Sequence, residues 1–101
     1  MPKSILLVED DEELTRIFVK LLERKGLNVV SHLNPLQALE NFKMNIDKYS
    51  LVLTDYKMEG INGIELAKEI RRIKGNKIVI IMITAFTLED IQNKEITTLI
   101  D

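Results

Sequence analysis

Cysteine is absent from the 101 residues, which excludes a disulfide framework, a thiol nucleophile and a thiolate zinc site. No apolar run approaches the roughly 20 residues of a membrane-spanning helix. The N-terminus lacks a charged stretch leading into an apolar segment and a small-residue cleavage site. Neither sign of charge dominates. The formal net charge is -2, so no global basic field points to DNA or to an anionic membrane. Repeats, linkers and low-complexity segments are also missing. What remains is 46% hydrophobic and 30% charged residues, enough to fill the core of one small domain. The expectation is a single soluble, cytoplasmic domain over 1–101, making no direct contact with nucleic acid or membrane.

Strand-like and helix-like patterns alternate along the chain. Ser4 to Val8 is apolar apart from Ser4, as expected of a parallel strand buried on both faces. Leu14, Ile17, Phe18, Leu21 and Leu22 recur at the spacing of a helix with one buried face, and Gly26 ends it. Leu27 to Ser31 reads as a short second strand. Asn34-Pro35 reads as a helix cap followed by proline in the first turn, with Leu36, Leu39 and Phe42 on the apolar side. Residues 51–55 form the third strand. A loop containing Gly60 and Gly63 leads to a helix over 64–74, with Leu66, Ala67, Ile70 and Ile73 inward and Gly75 as terminator. Residues 78–84 carry the strongest strand signal, and Thr87-Leu88-Glu89-Asp90 starts a last helix. The order βαβαβαβα predicts an α/β fold, a doubly wound parallel sheet.

In such a sheet the carboxyl ends of neighbouring strands converge on one crevice, where ligands bind. Three strand ends here carry matching chemistry: Glu9-Asp10-Asp11 after the first, Asp55 closing the third, and Thr84-Ala85 closing the fourth. Each acid has an ordinary explanation of its own, since carboxylates near a helix start cap free amides. That explanation suffices for Asp11, Glu12 and Glu13. Placing Glu9, Asp10 and Asp55 on one side of one sheet makes a different case. Carboxylates crowded in a crevice repel one another, and an oxygen-seeking divalent cation relieves that repulsion. His32, the only histidine, reads as a half-exposed polar residue, and the basic residues Lys68, Arg71, Arg72, Lys74 and Lys77 as a solvated helix face.

The segments Leu7-Val8-Glu9-Asp10-Asp11, Leu53-Thr54-Asp55-Tyr56-Lys57-Met58, Gly60-Ile61-Asn62-Gly63 and Ile83-Thr84-Ala85-Phe86 resemble those of the response regulator receiver domain of two-component signalling. The resemblance runs from residue 4 to the C-terminus. It implies a flavodoxin-like fold and a signalling phosphoacceptor rather than an enzyme acting on a separate substrate. It further implies that Asp55 accepts a phosphoryl group from a sensor histidine kinase and that Thr84 donates a hydrogen bond to that group. Mg2+ would be held by Asp10, Asp55 and the backbone carbonyl of Lys57, with Glu9 acting through water.

Two departures from the family pattern stand out. Glu59 occupies a position where receivers often have proline, so a less rigid loop is expected after Asp55. The fifth strand, its lysine and the fifth helix of the pattern have no counterpart before Asp101, so the fold is expected to lack the last strand and helix. That leaves Ile78 to Ile83 as an uncharged open edge, with homodimer formation through the fourth strand as the expected consequence. Two other functions compete with phosphotransfer. One is a receiver-like interaction module that has lost it. The other is a Mg2+-dependent phosphohydrolase, against which Lys57 stands where a paired aspartate would be needed.

Overall fold

The computed structural model of the chain describes residues 3–82. Four strands and three helices alternate: β1 (Ser4–Val8), α1 (Glu12–Arg24), β2 (Val29–His32), α2 (Pro35–Met44), β3 (Tyr49–Thr54), α3 (Gly63–Lys74) and β4 (Val79–Met82). The strands form one parallel sheet in the order β2-β1-β3-β4. The expected doubly wound topology is therefore present. The expected helix after Thr87 and the expected absence of a fifth strand and helix concern residues outside the described ones. So does the region after Met82 on which the expected open edge at β4 depends.

The two sheet faces are covered differently. Leu6, Val8, Val52 and Ile80 point to one side and pack with Ala38, Leu39 and Phe42 of α2 and Leu66, Ala67 and Ile70 of α3. Tyr49 joins this cluster, its ring stacked on Phe42 with centroids 6.1 Å apart and its hydroxyl donating to Asn41. Ile5, Leu7 and Leu53 point to the other side and meet Phe18 and Leu22 of α1. β1 is buried at all five positions because both faces are covered.

The apolar face expected for α1 is only partly used. Phe18 and Leu22 are half-buried against the sheet, whereas Leu14, Ile17 and Leu21 remain 42%, 49% and 49% exposed. At 100° per residue these three lie on one flank of the helix, away from the narrow arc of Thr15, Phe18 and Leu22 that meets the sheet. Helical periodicity marks an apolar flank without fixing how much of it a neighbour covers.

The helix ends follow local chemistry. The Asn34 side chain accepts from the backbone amides of Leu36 (2.8 Å) and Gln37 (3.2 Å), with Pro35 in the first turn. Asn62 and Glu65 form a reciprocal capping box at the start of α3. Replacing Asn34 with Ala removes an acceptor for two free amides, and is expected to cost about 1 kcal/mol in a urea titration. The basic cluster at the end of α3 is more than a solvated face. Arg71 donates to the carbonyls of Gly75 and Ile78 and so ties the helix end to β4, and Lys74 reaches Asp47 at 3.2 Å. Arg72 pairs with Glu69.

β2 and β3 are each displaced from the expected bounds. β2 starts at Val29, since the preceding Asn28 contributes only its carbonyl, to Ile5 N. β3 starts two residues early at Tyr49, where the register against β1 shifts between Ser4 and Ile5, and it ends at Thr54. Asp55 is thus the first residue beyond the strand.

Candidate acidic metal site

Parallel pairing of β1 and β3 sets Val8 beside Thr54, so the residues that follow each strand emerge together. Asp55 N–H donates to the Val8 carbonyl at 3.0 Å, and Glu9 N–H donates to the His32 carbonyl at 3.2 Å. These two bonds carry the sheet ladder one residue past the strands and fix where both carboxylates start. Each of Glu9, Asp10 and Asp55 can offer one carboxylate oxygen such that all three oxygens lie within 4.8 Å of one another. The sequence expectation that these three acids converge is met.

Their environments differ. Glu9 is 2% exposed, Asp55 is half-buried and Asp10 is exposed. Burial pushes the Glu9 carboxyl up to about 7. The backbone amide of Asp11, 3.0 Å from Glu9 Oε2, pulls it back down, while the charges of Asp55 and Asp10 push it up. Asp55 has one oxygen engaged: Oδ1 accepts from Tyr56 N–H at 2.7 Å. Among the described residues no donor holds the other oxygen. Asp11 does what its position at a helix start suggested, its Oδ1 accepting from Glu13 N (2.9 Å) and Leu14 N (3.1 Å).

Three supporting elements were not legible as such. Thr15 Oγ1 donates to the carbonyls of Glu9 (3.1 Å) and Asp11 (2.9 Å), tying the acidic turn to the first turn of α1. Thr54 Oγ1, fully buried, donates to the Asp55 carbonyl at 2.9 Å. Gly63 lies under the Asp55 backbone. A Cβ there would stand 2.3 Å from the Asp55 carbonyl oxygen, and Gly63 N–H donates to the Tyr56 carbonyl at 2.8 Å. Its sequence signal was a glycine in a loop after an acid, which does not reveal a steric role.

Of the remaining expected site residues, Lys57 lies in the β3–α3 loop with its side chain exposed, and Thr84 lies outside the described residues. His32 does not join the acids. Its side chain turns to the α2 side, where Nε2 is buried with no hydrogen-bond partner among the described residues, and burial lowers its pKa.

The donor set suits a hard divalent cation. Three carboxylate oxygens in a half-open crevice, one of them on a residue whose charge burial disfavours, gain from a small ion that prefers a few carboxylates plus water. Nitrogen and sulfur donors are absent from the cluster.

The chain matches the family model of the response regulator receiver domain over residues 5–98. It is 44% identical over 82 residues to the transcriptional regulatory protein CpxR homolog of Haemophilus influenzae, covering 81% of this chain and 34% of that one. It is 39% identical over 84 residues to the response regulator receiver protein CpdR of Brucella abortus, covering 83% and 68%. The chain thus spans about a third of the CpxR homolog. Among solved structures, the response regulator protein TrrA of Thermotoga maritima, in complex with Mg2+ and BeF, superimposes with a TM-score of 0.83 at 30% identity. That match covers 95% of this chain and 80% of TrrA.

Proposed function

Because the chain belongs to the response regulator receiver family of two-component signalling, we propose that it takes a phosphoryl group from a sensor histidine kinase onto Asp55. The observation that carries this reading is the convergence of Glu9, Asp10 and Asp55 within 4.8 Å. The Mg2+–BeF complex of the similar TrrA supports it. Asp10, Asp55 and the backbone carbonyl of Lys57 would hold Mg2+, with Glu9 acting through water. A Mg2+ ion held by these residues would supply charge neutralisation, both for the crowded carboxylates and for the transferring group.

The protein's own contribution is placement. Tyr56 N–H holds Asp55 Oδ1, which leaves the second oxygen free to attack phosphorus. The phosphorus–nitrogen bond of the donor breaks as the Asp55 oxygen–phosphorus bond forms. Phosphoryl transfer depends on such positioning and charge stabilisation more than on acid–base help. The Thr84 hydroxyl is assigned to the phosphoryl oxygens on the family resemblance.

Incubation with acetyl phosphate and Mg2+ followed by intact mass tests the reading. The expected result is a gain of one phosphoryl group in the wild type and none in Asp55→Asn. Equal labelling of Asp55→Asn, or no labelling of the wild type with Mg2+ present, would overturn it.

A further inference from the structure

The one buried residue of α1 is a threonine. Thr15 is 8% exposed, whereas Phe18 and Leu22 of the same helix are half-buried. Packing alone favours an apolar residue at the most enclosed point of an amphipathic helix. The hydroxyl supplies a different reason. It carries one proton, and two carbonyl oxygens lie within its reach, Asp11 at 2.9 Å and Glu9 at 3.1 Å.

The two acceptors differ in need. The Asp11 carbonyl already accepts from Thr15 N–H at 2.9 Å, at the start of the helix. A hydroxyl bond to the carbonyl four residues back is common for a helical threonine. The bond to Glu9 spans six residues and leaves the helix. The Glu9 carbonyl lies beyond the β1 ladder, and the Thr15 hydroxyl is its one donor among the described residues. Without that hydroxyl a buried carbonyl would lose its partner.

This oxygen belongs to the peptide that links Glu9 to Asp10. The peptide is planar, and the bond from Glu9 N–H to the His32 carbonyl, 3.2 Å, fixes the residue on its near side. Holding the oxygen sets the direction of the Asp10 N–Cα bond, and with it the direction of the side chain. Glu9 is enclosed and its Oε2 accepts from Asp11 N–H, while Asp55 Oδ1 accepts from Tyr56 N–H. Asp10 is the exposed member of the three, so packing does little to place it and the peptide that carries it matters most.

We propose that Thr15 is a positioning residue of the acidic site, holding the Glu9–Asp10 peptide so that the Asp10 carboxylate stays near Asp55 and the two can share a Mg2+ ion. The inference rests on the reading of this site as a Mg2+-dependent phosphoacceptor. Support behind a metal ligand is commonly worth about 10- to 100-fold in affinity, because it keeps the ligand oriented before the ion arrives. The hydroxyl carries this role and the methyl group does not.

Two pairs of side chains at position 15 isolate the hydroxyl: Thr against Val, which keeps the shape, and Ser against Ala, which lacks the methyl in both. The 101-residue wild type, Thr15→Val, Thr15→Ser and Thr15→Ala are titrated with Mg2+, followed by the amide resonances of Asp10 and Tyr56, and melted without metal. Thr15→Ser is expected to bind Mg2+ as the wild type does, although it melts lower for want of a buried methyl. Thr15→Val and Thr15→Ala are expected to bind at least about tenfold more weakly. Affinity then follows the hydroxyl and not the stability, which a purely structural threonine would not produce. Should Thr15→Val fail to fold, the Ser and Ala pair decides. Equal affinity with and without the hydroxyl, or an affinity that falls with the melting temperature in Thr15→Ser as well, would overturn the proposal. The phosphoacceptor reading would survive either result as long as Asp55→Asn abolishes the wild-type site. A wild type that binds no Mg2+ would overturn both.

Discussion

Gly63→Ala is expected to destabilise the protein by about 3 kcal/mol and to spoil the acidic site at the same time. A methyl group at this position would sit 2.3 Å from the Asp55 carbonyl oxygen and 3.1 Å from the Tyr56 Cα. Both neighbours are backbone, so neither can rotate away. The β3–α3 loop must shift instead, which costs on the scale of overpacking, roughly 1–3 kcal/mol and occasionally more. The shift also stretches the bond from Gly63 N–H to the Tyr56 carbonyl, 2.8 Å in the native fold. Gly26→Ala separates sterics from backbone freedom. At Gly26 φ is +79° and nothing lies within 4 Å of the added Cβ, so only the strain of a left-handed residue remains, about 1 kcal/mol. At roughly 4–8 °C per kcal/mol for a domain of this size, Gly63→Ala should lower Tm by well over 10 °C and Gly26→Ala by less than 10 °C. Equal losses would show that the close approach beneath Asp55 is not what constrains residue 63.

The metal-free protein should lose stability as pH rises from 5 to 8, and Mg2+ should reverse the trend. Glu9 titrates at about 7 in the fold, against an ordinary value of 4.5. Its folded form therefore holds a proton that the unfolded chain has already released. The stability from this group is full below pH 4.5 and is lost as pH climbs through 7. Over pH 5 to 8 the loss amounts to about 2 kcal/mol. His32 contributes in the opposite sense. Burial lowers its pKa, so its share is present above the ordinary value of 6.5 and is lost as pH falls through its folded value. Adding Mg2+ favours the carboxylate form of the acidic cluster, so the Tm increase it produces should be larger at pH 8 than at pH 5.5. Glu9→Gln should be more stable than wild type at pH 8 without metal and should lose most of the slope. A Glu9→Gln melting profile that parallels the wild type from pH 5 to 8 would remove Glu9 as the source.

Much of this architecture is legible in the residues because local and long-range preferences agree. The apolar run Ile5 to Val8 has no alternative to burial on both faces, and the acids that follow it have no place in such a strand. A chain that alternates strands and helices must then bring Glu9, Asp10 and Asp55 to the same end of one sheet. Asn34-Pro35 and Gly75 are equally readable, since each acts within its own turn.

What could not be read depends on distance in space. Leu14, Ile17 and Leu21 repeat at helical spacing yet stay exposed, because the contact arc of α1 is set by how the helix lies on β1 and β2. Gly63 matters through a backbone atom eight residues away. Thr15 looks like an unremarkable helix residue until its hydroxyl is seen beneath the Glu9 carbonyl. Arg71 belongs by composition to a basic helix face, but its guanidinium is occupied by the Ile78 carbonyl across the turn into β4. The assignment of Thr84 concerns a residue outside the described ones and rests on the family resemblance.

The proposal that the three carboxylates serve phosphoryl transfer to Asp55 is tested most directly by locating the adduct. The chain is incubated with acetyl phosphate, with and without Mg2+, then reduced with borohydride, which converts an aspartyl phosphate to homoserine, and sequenced by fragment mass. The account predicts homoserine at residue 55 alone, only with Mg2+, and strongly reduced in Asp10→Asn. Homoserine at another aspartate, or an equal yield without Mg2+, would contradict it.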